Sequence, residues 1–254
     1  MMLLLKKIKI ILSRVKRLLI EKFISYKYKR GHSRKGGVHR KKNSNLDSMI
    51  ESHFAMHSEK NHPCRSTISL ALNMLNDEPA IILETGSSAW GTNSSLLFDD
   101  YVNSFGGAFH SVDIRAEPMH RLVKHTTIRS RFTRDDSVHF LRNFILEKNK
   151  VDLVYLDSWD VDWDSPLASA VHGFNEFLII LPMLKKNGGL LLIDDTPRDG
   201  YILEEVSNKP MQLFEGFYKT YGFTPGKGGL VKHYLQNNKI GKEVAHEYQL
   251  LWRF

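Results

Sequence analysis

Three carboxylates follow two predicted strands of this 254-residue chain, directly after the point where each strand ends. Asp157 follows the apolar run VDLVYL, and Asp194 and Asp195 follow LLLI. Because ligands of an open α/β sheet lie outside the carboxyl ends of its strands, we expect the three side chains to converge. They repel one another unless a cation lies among them, and there is no Lys or Arg between Val151 and Pro182. Oxygen ligands favour a hard ion, with Mg²⁺ first and Ca²⁺ or Mn²⁺ next.

A glycine turn earlier in the chain suits a nucleoside cofactor. The apolar run AIIL ends in Glu84, Thr85 and Gly86, and Gly91 follows before a helical pattern. A second predicted strand then ends on Asp113. Strand, glycine turn, helix, strand and terminal acid form the nucleoside-binding half of a doubly wound fold, in which the acid binds the ribose hydroxyls.

The residues of the turn narrow the choice of cofactor. The glycines do not form the G-x-G-x-x-G pattern of a dinucleotide fold, and a phosphate loop needs Lys where this chain has Thr92. No basic side chain lies between Ile81 and Phe109. An acid such as Glu84 favours a cofactor with a cationic end, for example the amino group of a methionine moiety. A glycine turn in some other α/β protein is the alternative.

At this turn the sequence resembles the class I S-adenosylmethionine-dependent methyltransferases, whose first motif is close to E-x-G-x-x-x-G. Glu84-Thr85-Gly86 with Gly91 departs from it by one residue in glycine spacing. Asp136-Ser137 is similar to the family's segment beside the adenine, and these are also favoured N-cap residues. The resemblance implies that S-adenosylmethionine is bound by Glu84, Thr85, Gly86, Ser87, Gly91, Asp113, Asp136, Ser137 and Asp157.

Two further segments resemble the metal-ligand segments of catechol-type and macrocin-type O-methyltransferases. They are LDSW, which contains Asp157, and IDDT, which contains Asp194 and Asp195. The resemblance implies that these three aspartates hold a divalent ion, with Mg²⁺ the first candidate, although many class I methyltransferases keep such acids without a metal. Catechol-type enzymes have a lysine base directly after the tryptophan, where this chain has Asp160. Asp157, Asp160 and His172 are therefore the candidate catalytic residues, with Asp160 or His172 as the base.

The family implies an α/β fold, namely a Rossmann-like seven-stranded sheet with its last strand antiparallel and helices on both faces. We expect the methyltransferase domain to span residues 46–254, with an N-terminal helical cap over 46–78. The segments 227–231 and 248–254 read as two late strands joined by a polar loop. Residues 31–45 are basic, polar and glycine-containing, which predicts a flexible linker.

Positive charge is concentrated in an N-terminal arm. Residues 1–42 contain 15 Lys and Arg and one acid, Glu21, so their net charge is +14 and the remainder carries 8 − 14 = −6. Residues 1–30 have apolar residues at helical spacing with cations largely between them. Such a helix suits the interface of an anionic membrane. A helix packed on a partner and a nucleic-acid-binding arm are the alternatives, and the acidic body argues against a nucleic-acid substrate.

The single cysteine, Cys64, excludes a disulfide framework and fits a reducing compartment. His53, His57, His62 and Cys64 lie close in sequence but lack a known zinc pattern. Together these observations predict a cytoplasmic enzyme, peripheral to a membrane if the arm binds one. The expected reaction is O-methylation of a small hydroxylated or glycan-type acceptor. The alternatives are an NAD-dependent nucleotide-sugar oxidoreductase and a non-catalytic, membrane-recruited nucleoside-binding protein.

Overall fold

Eight strands form one sheet in a computed structural model that describes residues 32–39, 45–88, 91–147, 150–199 and 210–254. The strands are β1 (His32–Lys35), β2 (Ala80–Thr85), β3 (Gly107–Asp113), β4 (Ser130–Arg134), β5 (Leu153–Leu156), β6 (Leu190–Ile193), β7 (Lys242–His246) and β8 (Leu250–Arg253). The helices in these ranges are α1 (Leu46–Met56), α2 (Arg65–Asn73), α3 (Ser94–Phe105), α4 (Ala116–Leu122), α5 (Ser137–Glu147), α6 (Leu167–Asn187), α7 (Pro210–Tyr221) and α8 (Gly229–Asn237).

The strand order is β1-β4-β3-β2-β5-β6-β8-β7. Strands β4, β3, β2, β5 and β6 are parallel, and β8 pairs antiparallel with both β6 and β7. The order of the parallel strands reverses beside β2, which makes the carboxyl end of β2 the topological switch point where ligands of such sheets bind. The expected α/β fold with an antiparallel last strand is confirmed, and β1 is an additional edge strand.

The central strands are apolar throughout because both faces of the sheet are covered. In β5, Leu153 and Tyr155 belong to the core cluster on one face, while Val154 and Leu156 belong to the cluster on the other. All four side chains are essentially inaccessible to solvent. Parallel strands buried on both faces show this continuous apolar pattern instead of alternation. The apolar runs that predict these strands therefore also mark the strand ends, and the carboxylates follow directly after those ends.

Strand β1 lies inside the segment predicted to be a flexible linker. Its neighbour Gly36 donates a backbone hydrogen bond to Ser130 O at 3.0 Å, and Val38 N donates to Thr126 O at 2.9 Å. Edge pairing of this kind uses backbone groups and tolerates charged side chains, which is why the polar sequence HSRK did not predict it. The predicted helical arm, residues 1–30, lies outside the described residues.

The predicted strand at 227–231 is wrong. Gly229 begins α8, and the side chains of Val231 and Leu235, four residues apart, are buried on one face of that helix. The strand that pairs with β8 is β7, with an irregularity between Glu243 and Ala245. A run as short as Leu230-Val231 does not distinguish a helix from a strand by periodicity alone.

Helix α6 is long and apolar enough to cross a membrane by length and composition, and 50% of its most apolar window is buried within the domain. Phe177, Ile180 and Leu184 of this helix belong to the core cluster on one face of the sheet. Packing against the sheet thus accounts for its apolar character.

Candidate active site

The carboxyl ends of four neighbouring strands bring most of the predicted site residues together. Strands β3, β2, β5 and β6 lie side by side and lead into Asp113, Gly86, Asp157 and Asp194, respectively. This edge is the expected ligand site of an open α/β sheet. The described part of the chain holds one cluster of three or more potential metal-ligating side chains, and that cluster lies at this edge.

Gly86 allows β2 to pass close to the end of β5. Its φ is +84°, and a Cβ added there would lie 2.4 Å from the carbonyl oxygen of Asp157. Gly91, at φ +75°, faces His62, whose Nε2 would lie 2.7 Å from an added Cβ. A side chain at either position would require neighbouring atoms to move. The turn is therefore fixed by its contacts with Asp157 and His62.

Glu84 lies beneath the turn and is fully buried. Its carboxylate accepts hydrogen bonds from the hydroxyls of Ser94 (2.6 Å), Ser95 (2.6 Å) and Ser111 (2.5 Å). The hydroxyl of Ser95 in turn accepts from the backbone N–H of Ser88 at 2.8 Å. Burial raises the pKa of Glu84 to about 7, although the three seryl hydrogen bonds act to lower it. The structure thus places Glu84 as a link between the turn, α3 and β3, with no exposed carboxylate for a methionine amino group.

Asp113, at the end of β3, presents its carboxylate beside the turn. Oδ2 accepts from the backbone N–H of Ser87 at 3.0 Å and from Arg115 Nη2 at 2.8 Å. Oδ1 accepts from Arg115 N at 2.7 Å and Nε at 3.0 Å. The Asp113 side chain is 4% exposed and that of Arg115 is 61% exposed. The hydroxyls of a ribose can bind this carboxylate if the exposed Arg115 side chain turns to solvent and releases its two hydrogen bonds to Asp113.

Two arginines that sequence reasoning did not place near the turn contact it. Arg115 Nη2 donates to Ser87 O at 3.4 Å, and Arg121 Nη2 donates to the Ser88 hydroxyl at 2.8 Å. They reach the turn from α4 and the residue before it, so no local sequence pattern indicated them. Although the turn itself has no basic residue, these two arginines bring positive charge to it and can meet a phosphate-bearing ligand.

The segment predicted to lie beside the adenine begins α5. The Asp136 side chain accepts from His139 N at 3.0 Å, as an N-cap does. The Ser137 hydroxyl lies 3.1 Å from His172 Nε2. Thr85, another predicted cofactor residue, is buried, and its hydroxyl has no hydrogen-bond partner within the described structure.

The cluster of Asp157, Asp194 and Asp195 forms as expected. One oxygen from each carboxylate lies within 4.8 Å of the others. Asp194 Oδ1 accepts from Gln249 Nε2 at 2.7 Å and from Cys64 Sγ at 3.3 Å. The three oxygens have the chemistry and proximity that a hard divalent ion requires.

A buried cation that the sequence did not indicate, Lys227, contacts two of the three carboxylates. Its Nζ lies 2.5 Å from Asp157 Oδ1 and 2.9 Å from Asp195 Oδ2, and its side chain is 3% exposed. Burial alone would lower the pKa of Lys227, but the attraction of Asp157, Asp195 and Asp194 outweighs it and raises the pKa well above its usual value. Lys227 lies 70 positions after Asp157, far outside the segment from Val151 to Pro182, so the sequence around Asp157 does not indicate it.

The two candidate bases occupy different surroundings. Asp160 is exposed in the loop after β5. His172 stacks against Trp159, with ring centroids 5.0 Å apart, and its Nε2 lies 3.5 Å from Glu176 Oε1. Glu176 also accepts from the hydroxyl of Ser158 at 2.6 Å. His172 is thus tied to a network that holds the loop after β5, while Asp160 is open to solvent.

His62 is a further candidate that the sequence did not single out as catalytic. It precedes α2 and lies between Gly91 and the acidic cluster, where burial lowers its pKa although the charges of Asp194, Glu59 and Asp195 act to raise it. His53 and His57 instead line a separate cavity of about 540 Å³, whose lining includes none of the strand-end aspartates.

Comparison with solved structures finds the MycE methyltransferase from the mycinamycin biosynthetic pathway, in a structure with Mg, S-adenosylhomocysteine (SAH) and mycinamycin VI bound. It aligns at a TM-score of 0.55 with 15% sequence identity, covering 84% of this chain and 54% of MycE. A second MycE structure, with Mg and SAH, aligns at a TM-score of 0.50 with 15% identity, covering 84% and 55%.

The chain thus spans about half the length of the MycE proteins it matches. No protein-family model matches the chain, and no curated protein matches it. At these identities the likeness concerns the fold. The chain has the fold of a class I methyltransferase domain, as the glycine turn and the strand-end acids implied.

Proposed function

We propose that this chain is an S-adenosylmethionine-dependent methyltransferase that acts on an oxygen of a small hydroxylated or glycan-type acceptor. One observation carries the proposal: the turn at Gly86, the carboxylate of Asp113 and the cluster at Asp157 share one edge of a methyltransferase-type sheet. The MycE structures with the same fold contain SAH, Mg and, in one case, mycinamycin VI.

In this account the cofactor's ribose is bound by Asp113 and its chain lies on the turn at Gly86. Methyl transfer from a sulfonium is an in-line displacement, so alignment of donor and acceptor supplies most of the catalysis. The acceptor then lies at the ends of β5 and β6, within reach of the acidic cluster. Its hydroxyl proton passes to a base, for which the exposed Asp160 and the anchored His172 are the candidates.

The cluster has the oxygen ligands for a divalent ion at Asp157, Asp194 and Asp195. When bound, such an ion lowers the pKa of a coordinated hydroxyl, as it does for water. Lys227 engages two of these three carboxylates in this structure, so ion and ammonium compete for the same oxygens.

A dinucleotide oxidoreductase is the second candidate, and one observation favours it. Arg115 and Arg121 both contact the turn, where they can meet the phosphates of NAD. Against it stands the missing third glycine of the dinucleotide pattern.

Transfer of radiolabelled methyl from S-adenosylmethionine to a panel of catechols, simple glycosides and sugar phosphates tests the proposal. We expect labelled product and SAH release with at least one hydroxylated acceptor, and much less product with the Asp113→Ala variant at a subsaturating concentration of S-adenosylmethionine. Tight SAH binding without turnover on any acceptor would instead favour the non-catalytic nucleoside-binding alternative.

We further propose that residues 1–30 hold the enzyme at the cytoplasmic surface of an anionic membrane. The support is their charge, ten Lys and Arg against Glu21, on a segment with apolar residues at helical spacing.

A further inference from the structure

We propose that Lys227 is the resident cation of the acidic cluster, and that its ammonium group, in place of a divalent ion, offsets part of the negative charge of Asp157, Asp194 and Asp195 in the folded protein. The Nζ atom donates to Asp157 Oδ1 at 2.5 Å and contacts Asp195 Oδ2 at 2.9 Å. Both the ammonium and the two carboxylates it contacts are largely buried, so solvent screens these charges little.

The backbone around Lys227 fixes it in this position. Its N–H donates to Asp195 O at 3.0 Å. Gly226, at φ +99°, approaches so closely that an added Cβ would lie 2.1 Å from the same oxygen. On the other side, a Cβ added at Gly173 of α6 would lie 2.6 Å from Lys227 O. The close contacts of Gly226 and Gly173 therefore fix the backbone of Lys227 between the segment after β6 and α6.

The ammonium contacts three oxygen atoms of the cluster. A lysine ammonium has three N–H donors. Nζ donates to Asp157 Oδ1 and, at 3.3 Å, to the backbone oxygen of Asp157, and it forms an ion pair with Asp195 Oδ2. Lys227 therefore places a buried positive charge directly against two of the three carboxylates.

A divalent ion at the cluster would need the oxygens that Lys227 holds and would lie within a few ångströms of its charge. Like charges at such a distance in a buried site repel strongly. One consequence rests on the proposed methyl transfer. If that transfer occurs, the ammonium also provides a fixed positive potential beside the acceptor oxygen, a role that a metal ion plays in other enzymes.

Binding of Mn²⁺, followed through the electron paramagnetic resonance signal of the free ion, tests the proposal on the full chain without any methyl acceptor. The variants are Lys227→Met, which keeps an unbranched side chain one atom shorter and without the charge, and Lys227→Gln as a polar second choice. Lys219→Met removes an exposed lysine of α7 and is the matched control. SAH binding, measured on the same samples, separates failure of this inference from failure of the proposed function.

We expect the unmodified chain and Lys219→Met to bind no Mn²⁺ up to about 1 mM, the weak end of the range for carboxylate sites. Lys227→Met should gain a site at least about tenfold tighter, which adding Asp194→Asn removes. Micromolar Mn²⁺ binding by the unmodified chain, lost on Asp194→Asn, overturns the proposal. So does a folded Lys227→Met or Lys227→Gln that gains no site. If neither variant folds without Mn²⁺, the titration of the unmodified chain decides alone.

Discussion

At the scale of the residue, Asp113 is the side chain on which cofactor binding should depend most. Its carboxylate is held beside the turn by two backbone N–H groups, those of Ser87 and Arg115, and these bonds remain when the Arg115 side chain turns away. Loss of a hydrogen bond to a charged group costs about 1.5–3 kcal/mol. We expect Asp113→Ala to weaken SAH binding at least about tenfold in a calorimetric titration. Asp47→Ala, at an exposed position in α1, is the control and should leave affinity unchanged.

Glu84 should make stability depend on pH. Burial raises its pKa from 4.5 to about 7 in the folded state. Between these values the folded protein keeps a proton that the unfolded chain has released, so this group's contribution to stability falls as pH rises from about 5 to about 7. The fall amounts to about 3 kcal/mol.

The Glu84→Gln variant lacks this titrating carboxyl group. Its free energy of unfolding in urea should therefore change less than that of the unmodified chain over the same pH range. The exposed Glu215→Gln is the control for loss of a carboxylate. Parallel pH profiles for the unmodified chain and Glu84→Gln would show that Glu84 does not titrate there.

At the scale of the element, the turn after β2 depends on the close approach of two strands. Gly86→Ala places a Cβ 2.4 Å from Asp157 O at a positive φ. The strain of such a conformation is on the order of 1–3 kcal/mol, and relief of the contact must also shift the turn. We expect lower stability in urea together with weaker SAH binding.

Gly216→Ala provides the opposite control within a helix. Gly216 is exposed in α7, and an added Cβ meets nothing within 4 Å. Alanine favours a helix over glycine by about 1 kcal/mol, so this variant should be more stable with unchanged affinity. Equal effects of the two substitutions would contradict the role given to Gly86.

The sequence predicts this fold where local pattern and burial agree. The runs before Asp157 and Asp194 are short and apolar on both faces, so they indicate central strands and place the acids at their ends. It does not predict Lys227, because the contact with Asp157 depends on how the loop before α8 packs against the sheet. Nor does it predict that Glu84 is enclosed by serines, since two of them come from α3 and one from β3.

At the scale of the whole molecule, the arm and the catalytic body should be separable functions. Because β1 begins at His32, a deletion of residues 1–30 leaves the described sheet complete. We expect the full chain, and not the deletion, to sediment with phosphatidylserine vesicles at low salt. Both forms should bind SAH equally. A full chain that ignores such vesicles would refute the membrane role of the arm.

Calorimetric titration of the full chain with SAH, and separately with NAD, tests the central claim most directly. The account predicts that SAH binds one molecule per chain at the strand-end site and that NAD does not bind, despite Arg115 and Arg121 beside the turn. Binding of NAD with no detectable binding of SAH would contradict the account and assign the site to a dinucleotide.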